Sequence, residues 1–502
     1  MSASREKKKR QEGGPVDPKT ARQAEQRAAE RKSNLLYGTI AVVFVVVAVA
    51  LVVYNSGIIQ RNQTAVTIGG VKHNTAETAF YYQSAYQSFI NSQNGYLATA
   101  LGMLDTSKPL KDQSYTEEQT WADYFQDQAV RSMRFVQAAN QAAKDEGMAL
   151  ESEDLESFDA TVAARKSEAA SYGYTYKGYL TAMFGSVMTP SIYESCLKDQ
   201  LLASKYANAH FDSLSYTDDE IQAYYEENKN TYDLVDGAYV TISGTPEAKT
   251  DEDGNAVEAT EEEKTAAMAE AKETAEAILA AYEDGGDLEK LAEEHGASFT
   301  AGEQLTTGSS AALTWLFDAG RKAGDAEVVE DTSSYAVAVF NSRERDETLD
   351  YNVRHILVTK DSLELGEGEE ATEELLRAKA QEILDSWDGT EEGFAKLANE
   401  NSKDGGSNTN GGLYEDVPKG QMIAAFQNWC YEDGRKSGDT GIVYSASTGA
   451  HIMYFVGYGD TEYWHYACDN MLRGEAQTEW ENNLRESVTA EVDKGGMKTV
   501  IG

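Results

Sequence analysis

The run Trp315-Leu316-Phe317-Asp318-Ala319-Gly320-Arg321-Lys322-Ala323-Gly324-Asp325 returns later in the chain as Trp429-Cys430-Tyr431-Glu432-Asp433-Gly434-Arg435-Lys436-Ser437-Gly438-Asp439. Matching Trp, Gly, Arg, Lys, Gly and Asp at one constant offset mark a duplicated unit. Upstream, Ile278 and Leu288-Glu289-Lys290-Leu291-Ala292 correspond to Ile383 and Phe394-Ala395-Lys396-Leu397-Ala398. Residues 233–346 and 349–459 are therefore expected to fold as two domains of one topology. At 502 residues the chain exceeds what a single core organises, so further domains must flank the pair.

The second copy shows its elements most clearly. Its periodicity predicts a strand from His355 to Thr359, helices from Glu373 to Trp387 and from Phe394 to Asn399, a loop, a helix from Met422 to Glu432, and a strand from Gly449 to Val456. Strands at both ends with helices between them indicate a small sheet-and-helix domain, and the chain as a whole reads as α+β. Two of the six histidines sit on the terminal strands, in Val353-Arg354-His355-Ile356-Leu357-Val358 and Thr448-Gly449-Ala450-His451-Ile452-Met453. Between them lie Ser402-Lys403-Asp404, Gly411-Gly412-Leu413-Tyr414-Glu415, Gly420-Gln421-Met422 and Phe426. Singly these are ordinary, since a strand histidine is usually a satisfied core residue and Met and Phe four apart are usually helix core.

Taken in order, the series resembles the parvulin family of peptidyl-prolyl cis-trans isomerases. The resemblance implies a four-stranded antiparallel sheet wrapped by helices, with the two histidines on adjacent central strands. It also implies catalytic roles for His355 and His451, as paired imidazoles beneath the substrate, and for Asp404, at the family's Cys-or-Asp position. Tyr414, Met422 and Phe426 would line the pocket for the proline ring. The reaction is rotation about an Xaa-Pro bond against a resonance barrier of roughly 18–20 kcal/mol. Nothing in it requires a nucleophile, a cofactor or a metal ion; a dry apolar pocket that binds the twisted amide better than the planar one suffices. The chain departs from the family pattern at Tyr414, where a leucine normally lines the pocket, at Ile423, which replaces a frequent glutamine, and at Ala446, where many parvulins carry a threonine near the histidines.

In the first copy, Tyr239-Val240-Thr241-Ile242 stands where Val353-Arg354-His355-Ile356 stands, and Tyr335-Ala336-Val337-Ala338-Val339-Phe340 stands for Ala450-His451-Ile452-Met453-Tyr454-Phe455. Thr241, and Ala336 or Val337, then replace the histidines, and the middle loop with its Gly-Gln-Met is missing. A parvulin-shaped module without the active-site set is expected. Its acidic insert, Asp251-Glu252-Asp253-Gly254-Asn255, lacks the later ligands of an EF-hand-like calcium loop.

At the other end, residues 1–34 form a basic polar arm, followed from Leu35 to Tyr54 by an uncharged apolar run. Twenty helical residues span roughly 30 Å, one bilayer core, and Tyr37 and Tyr54 stand where amphipathic rings favour the headgroups. A single N-terminal transmembrane helix is expected, with the arm in the cytoplasm and everything after it extracytoplasmic at the cell membrane. A cleaved signal peptide is the rival reading, but the A-x-A match Ala48-Val49-Ala50 falls inside the apolar run, which is longer than such a segment needs. The first cysteine is Cys196, too far along for a lipid anchor.

Residues 55–232 read as a mainly helical domain. Ala65-Val66-Thr67-Ile68-Gly69-Gly70 is a strand and turn, and Asn74/Glu77 and Thr217/Glu220 have capping-box spacing. Phe80, Tyr81, Tyr82, Tyr86, Phe89, Ile90, Tyr124, Phe125, Val130, Met133, Phe135 and Val136 supply apolar helix faces. Residues 460–502 carry Trp464, Ala467, Met471, Leu472, Ala476, Trp480, Leu484 and Val488 along one helical face, and a C-terminal helix packing back on the N-terminal region is expected. This opening and return resemble the chaperone region of foldases of the PrsA, SurA and PpiD kind.

Net charge narrows the partners. The whole chain carries −41, and its first 34 residues are net basic, so the remainder is more acidic still and repels nucleic acid. An acidic loop after the first histidine strand, Asp361 to Glu367, also disfavours phosphorylated substrates. Three cysteines, Cys196, Cys430 and Cys468, make no disulfide framework. The sequence thus points to a membrane-anchored foldase that isomerises prolyl bonds in unfolded or partly folded exported proteins, with chaperone activity. The alternative is a non-catalytic holdase that shields the same clients.

Overall fold

A computed structural model describes residues 39–49, 57–250, 256–366 and 369–501. In chain order its main elements are β1 (Thr64–Ile68), β2 (Val71–Asn74), α1 (Thr75–Ile90), α2 (Trp121–Asp145), α3 (Pro190–Ser213), α4 (Asp218–Tyr232), β3 (Asp233–Ser243), α5 (Glu261–Glu283), α6 (Leu288–Glu294), β4 (Ser298–Leu305), α7 (Ala311–Leu316), β5 (Ala326–Asp331) and β6 (Ser334–Arg345). There follow β7 (Leu349–Val358), α8 (Glu373–Asp385), α9 (Glu391–Asn401), β8 (Leu413–Val417), α10 (Ala424–Cys430), β9 (Thr440–Ser445), β10 (Gly449–Glu462), α11 (Tyr463–Glu486), β11 (Ala490–Val492) and α12 (Lys494–Ile501). They form two compact units, residues 1–213 with 476–502, and residues 214–475.

In the first unit a hairpin of β1 and β2 is extended by β11, in the order β11-β1-β2. Asn74 caps α1, its side chain accepting from the Ala76 and Glu77 amides while Glu77 reaches back to the Asn74 N–H, so the predicted capping box is complete. The aromatic residues expected on helix faces pack together: Phe80, Tyr82, Phe125 and Met133 are buried, and Tyr86, Phe89 and Tyr124 close over them. Residues 460–502 do not form one helix. After α11 the chain makes β11, whose Val492, Glu491 and Ala490 pair with Val66, Thr67 and Ile68, and then α12, which buries Met497 and Val500. Trp480 stacks on His210 at 4.0 Å, whereas Met471, expected on the packed face, is exposed.

The second unit holds two four-stranded antiparallel sheets with matching orders, β4-β3-β6-β5 and β8-β7-β10-β9. Strand alternation divides each sheet into two apolar layers. In the second sheet Ile356, Val358, Ala450 and Ile452 pack under Leu376, Ala380, Ile383, Phe394 and Ala398 of α8 and α9. The opposite face carries Tyr351, Val353, Met453 and Phe455, covered by Phe426 and Cys430 of α10. The first sheet repeats this, with α5 and α6 on one face and α7 on the other. The edge strands β8 and β9 escape the periodicity reading. They are short and half-exposed, so neither carries an apolar run. Met422, expected in a helix, sits on the bend just before α10.

The duplicated Trp-to-Asp run is a turn clasp that both modules build alike. Arg321 lies over Trp315 at 4.2 Å and Arg435 over Trp429 at 3.7 Å, each guanidinium donating to the tryptophan carbonyl. Gly324 N–H donates to Phe340 O at 2.9 Å, and Gly438 N–H to Phe455 O at 2.8 Å. This correspondence sets the register between modules and corrects the sequence alignment. Ala338 pairs with Tyr239 as Met453 pairs with His355, and Ala336 pairs with Thr241 as His451 pairs with Leu357. Tyr239, not Thr241, therefore occupies the place of His355, and Ala336 that of His451.

The predicted apolar span 35–54 falls largely outside the described residues. Residues 39–49 are helical with Ile40, Val42 and Phe44 exposed, and among the described residues no helix is long and apolar enough to cross a membrane. The acidic insert 251–255 also lies outside the described residues, between the paired strands Lys249–Thr250 and Ala256–Val257. All three cysteines are buried and free. Since Phe125 is wholly buried at the centre of the first core, Phe125→Ala is expected to cost about 3–5 kcal/mol, read as an earlier unfolding transition for that unit in urea.

Candidate active site

Both histidines stand on the α10 face of the second sheet because β7 and β10 pair antiparallel with His355 opposite Met453 and His451 opposite Leu357. They are diagonal neighbours on one face, 4% and 5% exposed. Their rings lie nearly parallel, 20° apart with centroids at 5.5 Å, and the two Nδ1 atoms are 3.4 Å apart. Phe426 sets its ring edge-on to both, at 5.2 Å from His355 and 5.8 Å from His451. Met422 and Tyr414 pack half-buried beside it.

The polar atoms form one continuous chain. His355 Nε2 is 3.0 Å from Asp404 Oδ2, and His451 Nε2 is 2.8 Å from Thr448 Oγ1. Asp404 Oδ2 also accepts from the Ser407 hydroxyl and from Tyr414 OH at 3.0 Å. These donors, the His355 imidazole foremost, hold the Asp404 carboxyl far below the usual carboxylate range. An ionised carboxylate only accepts, so His355 Nε2 carries a proton. When His355 is neutral its Nδ1 accepts from His451 Nδ1–H, and His451 Nε2 then accepts from Thr448; when it is an imidazolium paired with Asp404 the His451 ring reverses, accepting at Nδ1 and donating at Nε2. Burial, reinforced by the neighbouring His355, lowers the His451 imidazole to about 4, so it stays neutral at ordinary pH. Both buried imidazoles are thus hydrogen-bonded at each ring nitrogen, with the half-buried Asp404 at one end of the row and the exposed Thr448 at the other.

A loop locks the row in place. Residues 402–412 resemble a flexible Gly/Ser/Asn stretch, yet the loop is tied down at each end. Leu357 N–H donates to Ser402 Oγ at 3.0 Å, Lys403 N–H to Leu357 O at 2.9 Å, and His355 N–H to Gly412 O at 2.8 Å. Ser407 is fully buried, and Gly411 N–H donates to Asn399 Oδ1 at 2.7 Å. Gly412 has φ +70°, and a Cβ there would lie 2.3 Å from the His355 carbonyl oxygen, so only glycine allows this loop to close against β7.

All six residues singled out in the sequence, His355, Asp404, Tyr414, Met422, Phe426 and His451, converge here. Two contributors escape sequence reasoning. Thr448 supplies the hydroxyl at His451, although the alignment had put Ala446 at the threonine position; the hairpin turn between β9 and β10 shifts the donor two residues along. Ser407 was hidden in what reads as a low-complexity loop. Tyr414 lines the apolar cluster and in addition bonds to Asp404, a second task that a leucine cannot perform. In the first module Tyr239, Ala336 and Ala312 take the places of His355, His451 and Phe426, and only His295 to Ala297 separate α6 from β4, so neither the row nor the loop exists there.

A family model described as "PPIC-type PPIASE domain" matches residues 335–456, which include every residue of this row. No curated protein matches. Among solved structures, the chain is similar to foldase protein PrsA from Streptococcus pneumoniae at 12% identity, covering 76% of this chain and 90% of that one with a TM-score of 0.27. It is similar to PrsA from Bacillus subtilis at 12% identity, covering 77% and 89% with a TM-score of 0.26. A peptidylprolyl isomerase, PrsA from Bacillus anthracis, shares 21% identity over 31% of this chain and 58% of that one, with a TM-score of 0.18.

Stability should follow the state of this row. His451 has its folded value lowered from 6.5 to about 4, so between those pH values the unfolded chain binds a proton that the folded chain refuses. Stability is therefore full above about pH 6.5 and falls by about 3 kcal/mol as the pH drops to 4. Asp404, also depressed, loses its contribution only at still lower pH. His451→Gln should flatten the upper part of this profile in denaturant titrations of the second unit; an unchanged slope would assign the effect elsewhere. Tyr414→Phe should leave that part intact and raise the pH at which Asp404 titrates, read by carboxyl NMR. Residues 335–456 thus carry a parvulin-type, or PPIC-type, peptidyl-prolyl isomerase domain.

Proposed function

We propose that this protein is a membrane-anchored, extracytoplasmic foldase that catalyses cis-trans isomerisation of Xaa-Pro bonds in exported proteins and also chaperones them. The observation that carries the reading is the hydrogen-bonded row Thr448-His451-His355-Asp404, its two histidines buried against Phe426 in the cluster that Met422 joins. His355, Asp404 and His451 act as the catalytic set, and Tyr414, Met422 and Phe426 grip the proline ring. A planar prolyl amide is stabilised by charge separation that water solvates well. Transfer to an apolar wall removes that solvation and favours the twisted amide, whose carbonyl is less polarised. A His451 imidazole held neutral by burial suits such a wall, because it adds no charge of its own beneath the substrate. Each tenfold acceleration requires about 1.4 kcal/mol of preference for the twisted form.

The substrates are unfolded or partly folded exported polypeptides containing proline, and isomerisation taking tens of seconds unaided is the slow step relieved. The anchor is the apolar run 35–54, helical where it is described, with the basic arm on the cytoplasmic side. A second reading, a holdase without catalysis, draws on Tyr96, Leu97, Leu101 and Met103, four exposed apolar residues within eight positions of the chain, and on the first module's lack of the histidine row.

The full chain in detergent should accelerate cis-to-trans conversion of a proline tetrapeptide, and His451→Ala or Met422→Ala should slow it about tenfold or more. A rate equal to the uncatalysed reaction would remove the enzyme reading. If a chain lacking residues 349–459 still suppresses client aggregation as well as the full chain does, the holdase activity resides elsewhere in the molecule. Deletion of residues 1–56 should move the protein from the membrane to the soluble fraction on cell fractionation.

A further inference from the structure

A second pocket, of about 430 Å³, lies within the first unit between β2, α1, α2 and α3. Its apolar walls are Tyr81, Met133, Val136 and Cys196, all buried. Its polar groups are His73, Glu77, Asn140 and Asp199, with the exposed Val71 and Lys72, Gln137, Gln141 and Lys144 completing the lining.

Two of these polar groups are unsatisfied. Asn140 is only 6% exposed; its Nδ2 donates to the Asp199 backbone carbonyl at 3.0 Å, which fixes the amide orientation and leaves a buried Oδ1 without a partner. His73 Nδ1 lies 3.3 Å from Glu77 Oε2, and because a carboxylate only accepts, the Nδ1 atom carries the proton. The Nε2 atom of the same ring is also buried without a partner, and it accepts when the ring is neutral. Native interiors pair such groups or fill the site, so two unpartnered polar atoms on one pocket point to a missing partner.

The charges and walls say which donor. Glu77 and Asp199 bring two carboxylates to the pocket and favour a cation. Lys72 and Lys144 are both exposed. The apolar walls suit a short alkyl stem, and an ammonium head brings three N–H donors, enough for Asn140 Oδ1, His73 Nε2 and one carboxylate. The chain's net charge of −41 draws cationic partners toward it. We propose that this pocket binds a primary alkylammonium group, as a lysine side chain of a bound polypeptide or as a free alkylamine. The proposal is independent of the isomerase reading, because neither pocket residues nor readout involve the second unit.

The test is calorimetric titration of the full chain in detergent with n-butylammonium chloride, against sodium chloride at equal ionic strength. Saturable binding is expected, about tenfold weaker in Asp199→Asn and in His73→Phe. Asp199 is exposed, so that variant keeps the fold, and an unchanged urea unfolding transition of the first unit reports that it is intact. A short extended peptide with one lysine, compared with its norleucine counterpart, separates the two sources. Binding of the lysine peptide alone assigns a polypeptide ligand, and binding of butylammonium without a difference between peptides assigns a small amine. No saturable binding of either probe, or equal binding by Asp199→Asn, overturns the proposal and leaves the two acceptors to water.

Discussion

The pairing of β7 with β10 is the constraint on which the site depends. Side chains alternate along a strand with a period of two, so a slip of one residue on either strand would turn its histidine into the layer under α8 and α9. The register is held from both layers at once, by Ile356, Val358, Ala450 and Ile452 on one face and by Val353, Met453 and Phe455 on the other. The irregularity between Phe455 and Gly457 comes after the catalytic stretch, so the ladder is regular where His355 and His451 face each other. Precision at the site is thus a property of the whole sheet.

Asp404 converts that placement into chemistry. Without an obligate acceptor at one end, two imidazoles with Nδ1 atoms 3.4 Å apart could share their protons in several ways. The carboxylate, held ionised by three side-chain donors, places a proton on His355 Nε2, and the row runs on from there through His451 to the Thr448 hydroxyl. Tyr414 joins the two sides of the problem, with its ring among the apolar groups and its hydroxyl on the acid.

The legible part of this molecule was whatever repeats or alternates strongly. The duplication, the capping boxes at Asn74 and Thr217, the aromatic faces of α1 and α2, and the six site residues could all be read from residue order. What could not be read depended on long-range pairing. β8 and β9 are edge strands whose half-exposed residues carry no periodic signal, and β11 is three residues that form a strand only because β1 offers an edge. Tyr239 was misplaced because the strand offset differs from the offset of the Trp-to-Asp run, and only hydrogen-bond register reveals the difference. Thr448 and Ser407 lie in a turn and a loop, where a hydroxyl's partner is set by three-dimensional closure.

The two clasped modules follow each other with only residues 346–348 between β6 and β7. Tandem copies of one topology are prone to exchange strands while folding, since each sheet offers an edge that the other copy's strands can fit. Here the copies differ most on the faces that must recognise their own strands: Tyr239 and Ala336 in one sheet, His355 and His451 in the other, with a long pinned loop in only one of them. The polar row that serves the second module therefore also acts as a molecular passport, because a first-module strand in the place of β7 would remove the His355 ring on which both Asp404 and His451 depend for a hydrogen bond.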